Sequence, residues 1–150
     1  MPHSYTSCLL HCVLSTKERR PQITPDLRER LHHYIGGIAR QHNATPLAVG
    51  GAEDHVHVLI SLPATMAIAK TLQLMKGGSS KWVHDTFPEH RGFAWQQGYG
   101  AFSVGVSQAE GTVAYIRGQE EHHRTRTFKE EFIAFLEKHG IEYDPEFLWG

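Results

Sequence analysis

Residues His55 to Leu62 read HVHVLISL, and the reading of that run decides the fold. Alternation sets His55, His57 and Leu59 on one face of a strand and Val56, Val58 and Ile60 on the other. The run is rich in β-branched residues and Pro63 closes it, which predicts a strand rather than a helical segment. Upstream, Thr45 to Val49 reads as a second strand, with Gly50-Gly51 as a tight connection. Before that, Thr24 suits a helix N-cap and Pro25 the first helical position. Leu27, Leu31, Tyr34, Ile35 and Ile38 recur at helical spacing from there to Asn43. Lys17 to Pro21 (KERRP) reads as an exposed basic turn, and Tyr5 to Thr16 (YTSCLLHCVLST) as a central strand.

Downstream, Met66 to Phe87 reads as a helix. Gly77-Gly78 predicts a kink or break in it, because each glycine costs about 1 kcal/mol in a helix interior. A loop from Pro88 to Gly98 leads to a fourth strand, Ala101 to Ser107 (AFSVGVS). Glu110 to His123 and Lys129 to His139 read as two further helices, and the aromatic tail Ile141 to Trp149 is expected to pack back onto the domain. The order strand-helix-strand-strand-helix-strand is the split βαβ plan. The expected class is therefore α+β: a ferredoxin-like antiparallel sheet with packed helices, the Tyr115-bearing helix lying C-terminal to the four strands.

At 150 residues the chain is expected to form one domain over 1–150, large enough to bury a core. There is no run of 18 apolar residues for a membrane span and no signal peptide before Leu14, so the expected compartment is the cytoplasm. A net charge of -1 argues against a protein that coats long duplex DNA, although local charge counts for more than the sum. Cys8 and Cys12 are spaced wrongly for a redox pair or zinc knuckle and read as buried reduced thiols. The one excess is histidine, twelve in all, which directs attention to site chemistry.

Two imidazoles at period two stand roughly 6.5 to 7 Å apart at Cα and can converge on one divalent ion. The bland alternative is one satisfied polar histidine and one facing solvent. Histidine-triad hydrolases need His-x-His-x-His, and Leu59 stands where the third histidine would be. Tyr115 and Gln119, four apart on a helix, share a face. A phenol of pKa near 10 is a poor nucleophile unless a metal polarises the phosphate it attacks. An amide oxygen is a hard ligand suited to Mg²⁺ or Mn²⁺. By itself, though, Tyr-x-x-x-Gln more often marks a core tyrosine and a surface amide.

Lys17, Arg19 and Arg20, then Lys70, Lys76 and Lys81, then Arg117, Arg124, Arg126 and Lys129 make three basic patches. These are solvated surface or phosphate contacts. Trp95, Tyr99 and Phe102 can stack on unpaired bases or serve packing. Ser79 and Ser80 can donate to phosphate or cap a broken helix. His11 faces away from Cys8, Leu10 and Cys12, toward the histidine face or into a structural role.

The ordered set Asp54-His55-Val56-His57, Lys76-Gly77-Gly78-Ser79-Ser80-Lys81, Trp95-Gln96-Gln97-Gly98-Tyr99-Gly100 and Tyr115-Ile116-Arg117-Gly118-Gln119 resembles the single-tyrosine HUH transposases. These are the small enzymes of IS200-like insertion sequences and their domesticated relatives beside repetitive extragenic palindromes. The resemblance spans almost the whole chain. It implies that His55, His57 and Gln119 hold Mg²⁺ or Mn²⁺ and that Tyr115 is the nucleophile. Tyr115 would then form a 5′-phosphotyrosine on single-stranded DNA at hairpin-marked ends. It also implies a homodimer, and it makes Lys17, Arg19, Arg20, Lys76, Lys81 and Arg117 candidate DNA contacts. Two departures stand out: Gly118 weakens the tyrosine helix, and His122 is a competing ligand. The alternatives are a hairpin-binding regulator without chemistry on the same fold, and an HUH nuclease that starts plasmid replication or transfer. The short chain, lacking a helicase or primase extension, argues against the latter.

Overall fold

The computed structural model describes residues 4–119, 127–146 and 148. Strand β1 (Leu9–Ser15) leads through a short 3-10 turn (Lys17–Arg19) to helix α1 (Pro25–Gln41). Strands β2 (Thr45–Gly51) and β3 (His55–Ser61) form a hairpin. Helix α2 (Ile68–Thr86), strand β4 (Gly100–Val104), helix α3 (Ala109–Arg117) and helix α4 (Phe128–Lys138) follow. The sheet order is β2-β3-β1-β4, antiparallel at every pairing. This is the ferredoxin-like arrangement expected from the strand and helix order.

The sheet's two faces have different partners. Leu10, Cys12 and Leu14 of β1 join Val56, Val58 and Ile60 of β3 in the main core, against Leu27, Leu31 and Ile35 of α1 and Leu72 and Met75 of α2. On the opposite face, Leu59 and Ala48 pack on Ile116 of α3, and Val13 and Phe102 pack on Phe128, Phe132 and Leu136 of α4. Alternation thus separates an oil layer from a chemical layer, with the histidines on the second.

Several sequence expectations are corrected. Helix α2 runs unbroken through Gly77 and Gly78. A Cβ on Gly78 would come within 2.9 Å of Ile38 Cδ1, so that glycine lets α1 and α2 approach rather than kinking the helix. Gly50 and Gly51 lie inside β2, and the connection is Ala52 to Asp54. A Cβ on Gly50 would sit 2.3 Å from the Ile116 carbonyl oxygen, so the glycine seats α3 on the sheet. Strand β4 ends at Val104, where Gly105 begins a 3-10 turn, and β1 begins only at Leu9, leaving Tyr5 exposed. Helix α3 ends at Arg117 with Gly118 as its C-cap, short of the expected end at His123, which lies outside the described residues with His122. Cys12 is buried as expected, but Cys8 is exposed. Tyr143 and Leu148 do pack against the α4 cluster, whereas Trp149 lies outside the described residues.

Candidate active site and metal centre

His55 and His57 project from β3 into the seam between α3 and α4, both fully buried. Asp54, at the strand entrance, accepts from His55 Nδ1 at 2.7 Å, which leaves the His55 Nε2 lone pair facing the seam. Phe128 stacks flat on the His55 ring, with centroids 4.0 Å apart and planes 9° apart, and fixes its orientation. His57 is held from the neighbouring strand, where His11 Nε2 lies 2.6 Å from His57 Nδ1. Both imidazoles therefore turn Nε2 toward the same space.

The helices bring the remaining groups. Gln119 is 1% exposed, and its Oε1 lies 3.0 Å from His55 Nε2. Its Nε2 donates to the Tyr115 carbonyl at 3.4 Å, which orients the amide with oxygen inward. Glu131 of α4 is 2% exposed, and its Oε1 lies 2.8 Å from His57 Nε2 and 3.7 Å from His55 Nε2. The Tyr115 hydroxyl donates to Glu131 Oε2. One carboxylate thus connects the histidine pair to the phenol.

The residues fit a divalent cation. With Asp54 holding the proton on Nδ1, His55 Nε2 and Gln119 Oε1 are two electron-pair donors facing each other at 3.0 Å. Such a contact needs a proton or a cation between the two. His55, His57 and Glu131 form a buried group whose ligand atoms all lie within 4.8 Å of one another, close enough to hold one metal ion. Burial alone would raise the Glu131 carboxyl, but the hydrogen bond and charge of His57 and the hydrogen bond of Tyr115 hold it down at about 2. Burial, then the neighbouring His57, pushes His11 down to about 3, so it is a neutral imidazole.

The model of the family described as "Transposase IS200 like" matches residues 4–119. The chain belongs to that family. Transposases for insertion sequence element IS200 from Salmonella typhimurium and Salmonella typhi are each 26% identical over 127 residues, covering 81% of this chain and 82% of theirs. The ISDra2 transposase TnpA of Deinococcus radiodurans is 22% identical over 116 residues, covering 74% of this chain and 83% of its own. A crystal structure of a putative transposase from the same organism superposes with a TM-score of 0.64 at 21% identity, covering 77% of this chain and 93% of that one. A REP-associated tyrosine transposase bound to a REP hairpin gives a TM-score of 0.55 at 17% identity, covering 77% and 68% of the two chains.

In this member of the family, His55, His57, Gln119 and Tyr115 meet as one group within one copy of the chain. Glu131 was not anticipated and lies beyond the residues matched by the family model. Its signal was a carboxylate on an apolar helical stripe: Phe128, Glu131, Phe132 and Phe135 share one face of α4. The expected DNA contacts differ in their surroundings. Lys76 Nζ donates to the carbonyls of Gln96 (2.8 Å) and Gly98 (2.7 Å), stapling the loop before β4. Lys81 pairs with Asp85 at 2.6 Å and Arg20 with Glu18 at 3.0 Å, both on the surface. Lys17 and Arg117 stand exposed and Arg19 half-buried. Lys70 and Lys129 are also exposed, and Arg124 and Arg126 lie outside the described residues.

Phe102 is core, Trp95 donates to buried Ser79, and Ser79 donates to the Met75 carbonyl, so these three serve packing. Tyr99 remains exposed. A cavity of about 510 Å³ opens beside Tyr115 and Glu131, walled by Phe102, Thr112 and Phe135. No helix among the described residues is long and apolar enough to cross a membrane.

Proposed function

We propose that this chain cleaves and rejoins single-stranded DNA through a covalent bond to Tyr115. The observation that carries the reading is the convergence of His55, His57, Gln119 and Glu131 beside the Tyr115 hydroxyl. These four side chains would hold Mg²⁺ or Mn²⁺, both of which accept carboxylate and amide oxygens. Bound there, the cation would polarise the scissile phosphate and offset charge gathering on its oxygens.

Tyr115 gives its hydroxyl proton to Glu131 Oε2, the acceptor it already touches. The phenol oxygen bonds to phosphorus as the phosphorus–O3′ bond breaks. A 5′-phosphotyrosine and a free 3′-hydroxyl result, the departing oxygen taking up a proton. Attack by a 3′-hydroxyl reverses the step and rejoins strands with no nucleotide consumed. The cavity beside Tyr115 gives the substrate strand its approach.

Hairpin-marked ends are the proposed substrate, supported by family membership and by the REP hairpin bound to the structural neighbour. The cytoplasm is the proposed compartment, in keeping with action on DNA. A homodimer is proposed on the strength of family membership. Lys17, Arg19 and Arg117 are proposed phosphate contacts. Arg20, Lys76 and Lys81 are weaker candidates because their charged groups are already engaged.

The test is incubation with hairpin oligonucleotides bearing randomised single-stranded tails and Mn²⁺, followed by a denaturing gel. Wild type is expected to leave a covalent protein–DNA adduct, and Tyr115→Phe none. Equal cutting by Tyr115→Phe removes the nucleophile assignment. Hairpin binding with no adduct would favour the regulator that has lost its chemistry.

A further inference from the structure

Each histidine of the pair has a partner at Nδ1, and the partners differ. Asp54 accepts from His55, and His11 meets His57. His11 stands on β1 diagonally across from His57, since Val13 is the residue directly opposite. It is 3% exposed, with the rings of Phe135 and Tyr115 at centroid distances of 5.0 and 6.3 Å. Little room remains for it to turn away.

We propose that His11 is a positioning residue: its Nε2 accepts the Nδ1 proton of His57 and so presents the His57 Nε2 lone pair to the metal site. The inference rests on the metal reading given above. An imidazole binds a cation through the nitrogen without hydrogen, and a partner on the other nitrogen decides which one that is. For His57 to present Nε2, its proton must sit on Nδ1, pointing at His11 Nε2 only 2.6 Å away. His11 must then carry its own proton on Nδ1. Entry of the cation then displaces to solvent the proton between His57 Nε2 and Glu131, while the Nδ1 proton stays on the contact with His11 and no ring moves.

Charge explains why this partner is an imidazole when that of His55 is a carboxylate. Asp54 and Glu131 already supply two negative charges, which balance a divalent ion. A third carboxylate in a closed seam would add an uncompensated buried charge. A neutral acceptor orients His57 without adding charge.

The experiment measures Mn²⁺ affinity by the electron paramagnetic resonance signal of free Mn²⁺, using the full chain without DNA. His11→Phe, which keeps a ring but no acceptor, should bind Mn²⁺ roughly 10- to 100-fold more weakly. Urea unfolding in chelator checks that the variant is folded under the conditions of the Mn²⁺ measurement. His11→Gln, whose amide oxygen reaches the same region, should restore affinity to within about threefold. In the Mg²⁺-loaded wild type, the ring nitrogens of His57 should show the Nδ1–H tautomer by NMR. Undiminished affinity in His11→Phe, or equal loss in both variants, would overturn the inference. Should His11→Phe not fold, the tautomer decides: Nε2–H on His57 in the loaded protein refutes it. A wild type that binds no Mn²⁺ at His55 and His57 refutes the metal reading itself, a separate failure.

Discussion

Glu131→Gln tests whether the carboxylate inserted by α4 is ionised and bound in the folded protein. The Glu131 carboxyl sits at about 2 in the fold, against 4.5 for a free glutamate. At 1.36 kcal/mol per pKa unit, that difference stabilises the native state by up to roughly 3 kcal/mol. The folded value is depressed, so the contribution is fully present above pH 4.5 and is lost as pH falls toward 2. The assay is urea unfolding in chelator at a series of pH values, wild type against Glu131→Gln. The amide keeps the side chain's shape and removes its charge. At pH 7 the variant should be about 2 to 3 kcal/mol less stable, and the curves should converge only as the pH nears 2. Parallel curves across the whole range would mean that Glu131 is not an ionised partner of His57 and Tyr115.

Gly50→Ala sets a methyl group against the Ile116 carbonyl, which lies 2.3 Å from where the Cβ would be. Overpacking of this kind costs about 1–3 kcal/mol. Because α3 carries Tyr115, the yield of DNA adduct should fall with the urea midpoint. Lys76→Met removes two charge-assisted hydrogen bonds to the 96–98 loop and should cost about 1–2 kcal/mol, leaving the salt dependence of DNA binding unchanged. A shallower salt slope with unchanged stability would instead make Lys76 a phosphate contact.

The sheet was legible because His55 to Ile60 alternates between two faces and Tyr5 to Thr16 is a mostly apolar run rich in strand formers. The histidine pair came with it, since its face follows from strand period alone. Gly78 and Gly50 were misread for one shared reason. A glycine gives no local signal that separates a flexible joint from a close approach by a distant element, here Ile38 or Ile116. Glu131 is separated from His57 by 74 positions, and only the folded packing of α4 shows where its carboxylate goes. The pairs of Lys81 with Asp85 and of Arg20 with Glu18 join residues four and two positions apart, near enough to be read from the sequence itself.

A consequence follows for how the hairpin of β2 and β3 can misfold. Sliding β3 by a single residue would turn both imidazoles into the layer holding Leu31, Ile35, Leu72 and Met75, and would face three aliphatic side chains toward Glu131 and Gln119. Polar rings stranded in hydrocarbon and a carboxylate left against valines penalise that state twice. The side chains proposed to handle the phosphodiester would therefore also proofread the pairing of the strand that carries them.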